Sequence, residues 1–195
     1  SLAIAHNNRG NAYVRKGQLD LALGDYDHAL ALHPLYAKAM KNRGVAHRKK
    51  GDFARAVMDF GDAIRLTPQD AEAFANRAEA FYSQSNYQEA ERDYREALRL
   101  QPALRAAWHA RCWMRVVAGE LQSAIADCNE ALRLDPNIAA QFDSRGIAYL
   151  KQGRLDAAIA DFDAALLIEP KLATSIYGRG IARLRKGETS SGKTD

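Results

Sequence analysis

The stretch AAQFDSRGIAYLKQGRLDAAIADFDAALLIEPKL, residues 139–172, contains the pattern that decides the fold. Its first half ends at Gly153, and glycine readily adopts the left-handed conformation that follows a helix end. Its second half ends before Pro170, which cannot continue a helix because it has no amide hydrogen. The stretch therefore predicts two α-helices, and the short turn between them forces them to lie antiparallel.

The same pattern recurs along the chain every 34 residues. The phase is carried by Pro34, Pro68, Pro102, Pro136 and Pro170. Alanine stands twelve and five residues before each proline, and a turn glycine recurs in every unit except the third, which has Ser85. We expect one array over residues 1–187 and a polar tail, disordered or truncated, over 188–195. Its units are expected at about 3–36, 37–70, 71–104, 105–138 and 139–172, followed by a sixth first helix at 173–187.

The recurring residues resemble those of the tetratricopeptide repeat family, whose unit also has 34 residues. The fifth unit shows the family's order of residues in Phe142, Gly146, Tyr149, Ala158, Phe162, Ala165 and Pro170. The resemblance covers nearly the whole chain. It implies an all-α fold, a right-handed α-solenoid superhelix of helix-turn-helix repeats. It also implies that the first helices line a concave inner face and the second helices form the outer face.

Arginine stands directly before the glycine position of the first helix in all six units, where the family usually has leucine. The helical period places it on the packing face, where an unpaired charge would be costly. Aspartate stands before the aromatic position of each second helix, and folding a hairpin about its turn brings the two together. We predict five structural ion pairs, and no partner for Arg179, whose second helix is missing; the alternative is that these arginines bind phosphate or carboxylate. The predicted pairs are Arg9–Asp25, Arg43–Asp59, Arg77–Asp93, Arg111–Asp127 and Arg145–Asp161.

Cys112 and Cys128 replace the glycine and the aromatic residue of the fourth unit, and the same folding brings them close. A larger first residue and a smaller second one favour a core pair of compensating volume. A disulfide is the alternative, and it requires a Cα separation below about 7 Å. No metal site is predicted, because the two thiols have no further Cys or His at suitable spacing. The histidines show no i,i+4 pair and are interpreted as ordinary: His6, His28, His33, His47 and His109.

Residues 187–194, GETSSGKT, match the phosphate-binding loop pattern G-x-x-x-x-G-K-[ST]. That chemistry would place Lys193 on the phosphates and Thr194 on magnesium, but it needs a strand before the loop and a helix after it. Here a helix is predicted before the segment and the sequence ends at Asp195, so we interpret the segment as part of the polar tail. We predict no catalytic residue, no cofactor and no metal, and therefore no enzyme.

The net charge of +4 and the calculated isoelectric point of 9.1 are weak indications of a nucleic-acid partner. The recurring acidic partners of the arginines argue against one. Two cysteines are too few for a disulfide framework, so the sequence does not indicate secretion. No apolar run approaches the roughly 18 residues that span a bilayer. No signal peptide is visible, although a chain that begins at Ser1 could have lost one. We expect no nucleic-acid partner and no membrane insertion, and the cytoplasm is favoured.

The family resemblance places a binding groove on the first helices, and the helical period selects the side chains that face it. Asn8, Asn42 and Asn76 share one position in successive units, where their amides could bond to a peptide backbone or simply be solvated. The groove is predicted to be basic near the second unit and apolar from Trp113 onward; tryptophan is a common interface anchor, and packing against an absent C-terminal segment is the alternative. The predicted groove residues are Asn8, Asn11, Lys38, Lys41, Asn42, Arg48, Asn76, Glu79, Tyr82, His109, Trp113, Val116 and Ile147.

These observations favour a non-catalytic scaffold that binds an extended peptide or a helix of a protein partner in the concave groove. The alternative is an assembly module that self-associates through its C-terminal end. Repeat arrays need polar caps, whereas the sixth first helix leaves Ile176, Ile181 and Leu184 uncovered. Some family members grip C-terminal carboxylates with three cations that are missing here, so that specific activity is not expected.

Overall fold

The computed structural model describes residues 1–188, which contain eleven α-helices and no β-strand. The all-α class predicted from the repeat is therefore confirmed. The helices are α1 (Leu2–Arg15), α2 (Leu19–Leu32), α3 (Ala37–Lys49), α4 (Phe53–Leu66), α5 (Ala71–Ser83), α6 (Tyr87–Leu100), α7 (Arg105–Ala118), α8 (Leu121–Leu134), α9 (Ala139–Lys151), α10 (Leu155–Ile168) and α11 (Ala173–Lys186). Lys193, Thr194 and most of the predicted polar tail lie outside the described residues. Over residues 1–188, none of the helices has both the length and the apolar character needed to cross a membrane.

A residue with left-handed backbone follows the first helix of each hairpin, at the position predicted for the turn glycine. Gly51 has a φ of +83° and Gly153 a φ of +75°, which glycine adopts without steric cost. Ser85 occupies this position in the third hairpin with a φ of +62°, the one positive φ outside glycine in the described chain. The hairpin therefore imposes the same turn conformation even where the sequence lacks glycine.

Glycine on the first helix allows an aromatic ring of the second helix to approach its backbone. A Cβ atom placed on Gly44 would lie 2.8 Å from Cε1 of Phe60, and one on Gly146 would lie 2.8 Å from Cε1 of Phe162. Both rings are completely buried. In these two hairpins, a side chain at the glycine position would therefore clash with the ring unless the ring or the helices moved.

The fourth hairpin replaces this glycine–aromatic contact with a covalent bond. Cys112 on α7 and Cys128 on α8 are both completely buried, and they form a disulfide with their Cα atoms 5.4 Å apart. Of the two interpretations of this pair, the structure therefore has the disulfide and not two free thiols. The bond ties the first helix of the hairpin to the second across a sequence separation of 16 residues.

The helices form two compact units, each made of several 34-residue repeats: unit 1 is Ser1–Pro102 and unit 2 is Ala103–Asp195. From here on, "unit" refers to these two and "hairpin" to the helix pair of one repeat. In the first unit, the second helix of each hairpin packs against the first helix of the next, so that α2 contacts α3 and α4 contacts α5. The first helices are also neighbours, α1 with α3 and α3 with α5. The second unit repeats this arrangement, with α9 in contact with both α7 and α11. We call the surface shared by α1, α3 and α5 the unit 1 face, and that shared by α7, α9 and α11 the unit 2 face.

One polar side chain in the second unit is buried without a hydrogen bond. Gln141 on α9 is completely inaccessible, and neither its Oε1 nor its Nε2 has a hydrogen-bond partner among the described residues. The equivalent residue of α11 is Ser175, whose hydroxyl donates to Oδ1 of Asp143 at 2.5 Å. A buried amide without a partner loses its bonds to water and gains none in return, so Gln141 costs free energy of folding.

Candidate functional site

The structure brings together all five predicted Arg–Asp pairs, each within its own hairpin. Nε of Arg111 donates to Oδ2 of Asp127 at 2.8 Å, and its Nη2 donates to Oδ1 at 2.7 Å. The other four pairs have the same two-pronged geometry, with distances of 2.6–3.0 Å: Arg9–Asp25, Arg43–Asp59, Arg77–Asp93 and Arg145–Asp161. All five aspartates are buried. The guanidinium of Arg9 lowers the pKa of Asp25 to about 2, because its hydrogen bonds stabilise the carboxylate.

Some of these arginines make a second contact, to the preceding hairpin, that the sequence analysis did not predict. Nη1 of Arg145 donates to Oδ1 of Asn129 at 2.6 Å, on the second helix of the hairpin before it. Arg179 donates in the same way to Oδ1 of Asp163 at 2.7 Å. The prediction that Arg179 has no partner is therefore wrong, because the preceding hairpin supplies one. The signal available in the sequence is an acid or amide two residues after the paired aspartate.

The predicted asparagine ladder is on the unit 1 face, but all three of its members already have partners. Nδ2 of Asn42 donates to Oδ1 of Asn7 at 2.8 Å, which links α3 to α1. Nδ2 of Asn76 donates to the backbone oxygen of Glu72 at 2.8 Å. Asn8, the third member, is exposed, and its Oδ1 accepts a long hydrogen bond from Nδ2 of Asn7 at 3.4 Å. The ladder is thus partly used to order the face itself.

The amide group of Asn11 is held by a hydrogen bond from the second helix of its hairpin. Its Oδ1 accepts a hydrogen bond from the hydroxyl of the buried Tyr26 at 2.7 Å, and this bond fixes the orientation of the amide. Asn11 is half-buried. An anchored carboxamide keeps its Nδ2 hydrogens available as donors to a peptide carbonyl.

Two of the cations predicted to make the unit 1 face basic, Lys41 and Arg48, are paired with acids of α5 or of its N-cap. Nζ of Lys41 lies 2.8 Å from Oδ2 of Asp70 and 3.0 Å from Oε2 of Glu72. Burial opposes the charge on Lys41, yet these two carboxylates raise its pKa above the usual value. Arg48 forms an ion pair with Glu79. The expected basic character is therefore wrong for Lys41 and Arg48, because each charge is offset by the neighbouring helix.

The remaining predicted residues of the unit 1 face differ in exposure. Lys38 is exposed, and Tyr82 is half-buried with its ring 5.9 Å from the ring of Tyr87. The face as a whole is polar, with most of its charges satisfied by one another.

The unit 2 face is apolar. Trp113 on α7 is 37% exposed, and Tyr177 and Leu184 on α11 are 72% and 42% exposed. Ile147 lies on α9, between these two helices, and is half-buried. Side chains from three neighbouring helices therefore present an apolar surface, as the sequence predicts from Trp113 onward.

Val116 does not belong to this surface. Its side chain is completely buried among Cys112, Ala124 and Ile125, so its assignment to the groove is wrong. The reason is that Val116 follows Cys112 by one helical turn and therefore lies on the same buried side of α7 as the disulfide. Its backbone oxygen is nevertheless used, because it accepts a hydrogen bond from Nζ of Lys151 at 2.9 Å.

Two polar groups accompany the apolar surface, and both are internally bonded. Nε2 of His109 lies 3.2 Å from the backbone oxygen of Ala140 and 3.2 Å from Oγ of Ser144. Burial lowers the pKa of His109 below its usual value, which favours the neutral ring. The carboxylate of Asp143 accepts from Thr174 at 2.9 Å as well as from Ser175.

Comparison with known proteins agrees with this architecture. Models of the tetratricopeptide repeat match residues 7–71, 71–104 and 139–172, which together make up more than half of the chain. The chain belongs to the tetratricopeptide repeat family. The fourth repeat, which contains the disulfide in place of glycine and an aromatic ring, lies between the matched segments.

Solved structures of tetratricopeptide repeat proteins share this fold at low sequence identity. YrrB, described as a TPR protein with an unusual peptide-binding site, is 22% identical with a TM-score of 0.73, and the match covers 91% of each chain. A tetratricopeptide repeat protein from Parabacteroides merdae is 18% identical with a TM-score of 0.81, over 98% of this chain and 76% of its own. TTC0263 from Thermus thermophilus is 22% identical with a TM-score of 0.74, over 93% and 99%. A search of curated proteins finds no significant match.

Tetratricopeptide repeats generally serve as non-catalytic scaffolds for protein–protein interaction. In this member, the Arg–Asp pairs hold the two helices of each repeat together, whereas the unit 1 and unit 2 faces carry most of the predicted contact residues. The structure also brings together two side chains that the sequence analysis treated as ordinary, His6 of α1 and His28 of α2. The register of the first hairpin could have revealed them, because His6 precedes Arg9 by three residues and His28 follows Asp25 by three.

Proposed function

We propose that this tetratricopeptide repeat protein is a non-catalytic scaffold that binds a peptide segment of a partner protein on its first-helix faces. The observation that carries the proposal is the apolar surface of unit 2, where Trp113 on α7 and Tyr177 on α11 are exposed and Ile147 of α9 lies between these helices. Exposed apolar side chains that form a surface, as opposed to single scattered ones, are typical of interaction sites. Tryptophan and tyrosine are also the residues that most often dominate binding energy.

The polar groups around this surface favour apolar partner side chains. His109, Asp143 and Lys151 each have hydrogen bonds within the unit, so a ligand need not satisfy them. A partner that inserts aliphatic or aromatic side chains would therefore gain burial of apolar area without leaving a charge unpaired.

The unit 1 face supports a different kind of contact within the same proposal. Asn11, held by Tyr26, and the exposed Asn8 offer amide groups that can bond to a peptide backbone irrespective of its sequence. YrrB, which shares this fold, is likewise described as having a peptide-binding site. The proposal entails neither a cofactor nor turnover, nor a nucleic-acid partner.

The test is to select binders from a peptide library with the intact chain and to measure their affinity by fluorescence anisotropy. The Trp113→Ala and Tyr177→Ala variants are expected to bind at least ~10-fold more weakly, which corresponds to about 1.4 kcal/mol. The matched control is Leu167→Ala, because Leu167 is 85% exposed and apolar but lies on the second helix α10. Unchanged affinity in Trp113→Ala together with weaker binding in Leu167→Ala would contradict the proposal.

Self-association through α11 is a second candidate, favoured by the 72% exposure of Tyr177. Sedimentation equilibrium distinguishes the two. A concentration-dependent dimer that Tyr177→Ser abolishes and Trp113→Ala leaves intact would favour assembly over peptide binding. A monomer at all concentrations would leave peptide binding as the function to pursue.

A further inference from the structure

Two histidines and one aspartate meet on the first hairpin of unit 1. The rings of His6 and His28 are stacked, with centroids 5.3 Å apart and an interplanar angle of 22°. One ring nitrogen of each histidine and one carboxylate oxygen of Asp25 all lie within 4.8 Å of one another. Asp25 is buried, His6 is half-buried and His28 is exposed, so the cluster runs from the hairpin interior to solvent.

Both imidazoles are held by their Nδ1 atoms. Nδ1 of His6 lies 3.0 Å from Oδ1 of Asp25, and Nδ1 of His28 lies 2.7 Å from the backbone oxygen of Gly24. In a neutral ring, an oxygen acceptor at Nδ1 makes that nitrogen the donor and leaves the lone pair on Nε2. A carboxylate or carbonyl behind Nδ1 is also the arrangement that orients metal-binding histidines.

From this geometry we propose that His6 and His28 form a binding site for a divalent transition metal ion of the zinc class, with Nε2 of each ring as the ligand atom. Asp25 orients His6 from behind, and water completes the coordination. Zinc lies about 2.0–2.1 Å from imidazole nitrogen, and the two rings, with centroids 5.3 Å apart, are close enough to bind one ion after a shift that turns their Nε2 atoms towards each other. The exposed side chain of His28 is free to make most of that shift. An open cavity of about 140 Å³, lined by Leu2, Ala5, His6 and Arg9, gives water access to the His6 side of the cluster.

The cluster is particular to the first hairpin and is not a by-product of the repeated Arg–Asp pair. Every complete hairpin has that pair, but the positions equivalent to His6 hold Met40, Phe74, Trp108, Phe142 and Ile176. The positions equivalent to His28 hold Asp62, Glu96, Glu130 and Ala164. No other hairpin therefore places two imidazoles beside its aspartate. The charge of Arg9 next to the site is offset by its hydrogen bonds to Asp25.

The experiment is a titration of the untagged chain with zinc ions, followed by isothermal calorimetry and by the NMR signals of the histidine rings. We expect one saturable site, with the ring signals of His6 and His28 shifting and those of His33 unmoved. His6→Phe removes the ligand but keeps an aromatic ring, as in Phe74 and Phe142, and His28→Ala places there the residue found at Ala164. Each variant is expected to bind zinc at least ~10-fold more weakly, whereas the control His33→Gln binds as the original chain does.

Circular dichroism of each variant establishes that its hairpins remain folded before binding is compared. The proposal is overturned if the original chain shows no saturable binding, or if His6→Phe and His28→Ala bind zinc as tightly as His33→Gln. It is equally overturned if zinc shifts the signals of His33 or His109 in place of those of His6 and His28, because the two rings would then form a stacked pair only.

Discussion

Arg43 donates from Nη1 to Oδ1 of Asp27, 2.7 Å away on the second helix of the preceding hairpin. The same guanidinium donates from Nη2 to Oδ1 of Asp59 at 2.6 Å within its own hairpin. One side chain thus fixes the fold of a hairpin and its attachment to the previous one. For Arg77 of the third hairpin, the residue equivalent to Asp27 is Gly61 on α4 of the second hairpin, and a Cβ placed there would lie 3.7 Å from Nη1 of Arg77.

Gly61→Asp is therefore expected to stabilise unit 1. Glycine inside a helix costs up to about 1 kcal/mol relative to alanine, and the new carboxylate would pair with Arg77. The matched control is Gly61→Asn, which has similar size and helix propensity but no charge. In urea unfolding at low salt, the aspartate variant is expected to exceed the asparagine variant by ~0.3–1 kcal/mol, and the difference should shrink in 1 M salt. A difference that is independent of salt would argue against the ion pair.

Reducing the bond between Cys112 and Cys128 is expected to destabilise unit 2. A disulfide that closes a loop of this length restricts the unfolded chain and contributes about 3 kcal/mol. The expected result is a lower denaturation midpoint with a reducing agent than without it. The control is Cys112→Gly with Cys128→Phe, which restores the residues found at Gly146 and Phe162. That double variant should unfold at the same midpoint in both conditions. If the denaturation midpoint of the original chain were unchanged by the reducing agent, the disulfide would be contradicted.

Gln141→Met is expected to raise the free energy of unfolding by about 1 kcal/mol. Methionine has nearly the same length as glutamine and removes two buried polar atoms that have no partner. The contrasting substitution is Ser175→Ala at the equivalent position of α11, which breaks a hydrogen bond to Asp143 and should lower stability by about 1–2 kcal/mol. Equilibrium denaturation measures both. If Gln141→Met were destabilising, the amide would have to be satisfied in solution, for example by a bound water.

The stability of the chain is expected to fall as the pH is lowered from neutral. Burial lowers the pKa of His109, and it also lowers that of His47 although Asp59 and Asp52 oppose the effect. Because the unfolded chain then takes up protons before the folded one, the contribution of these rings is complete above pH ~6.5 and is lost as the pH falls through their folded pKa values. Urea unfolding at several pH values between ~7.5 and ~5 measures this loss. The variant His47→Gln with His109→Gln should show a flatter profile than the original chain, and an unchanged slope would contradict the role of these two rings.

Contacts between the two helices of one hairpin could be predicted from the antiparallel register that the turn imposes on them. The pairs Arg9–Asp25 and Arg111–Asp127 follow from the 34-residue period and from a turn whose length fixes the antiparallel register. His6 and His28 follow that same register, but they lie on two different helices. A pattern of metal ligands at i,i+4 spacing within one helix therefore does not include them. The proximity of Cys112 and Cys128 was also predictable, whereas the choice between a thiol pair and a disulfide was not.

The sequence by itself determined the helices, the turns and the pairing within each hairpin, because these depend on local conformational preferences and on a short link. Only the tertiary structure decided the contacts between hairpins. Whether Lys41 meets Asp70 and whether Arg179 meets Asp163 depend on how side chains of different hairpins pack against each other. The period repeats the residues of each hairpin but does not specify the distance and angle at which one hairpin packs on the next. Those quantities follow from the volumes of many side chains at once.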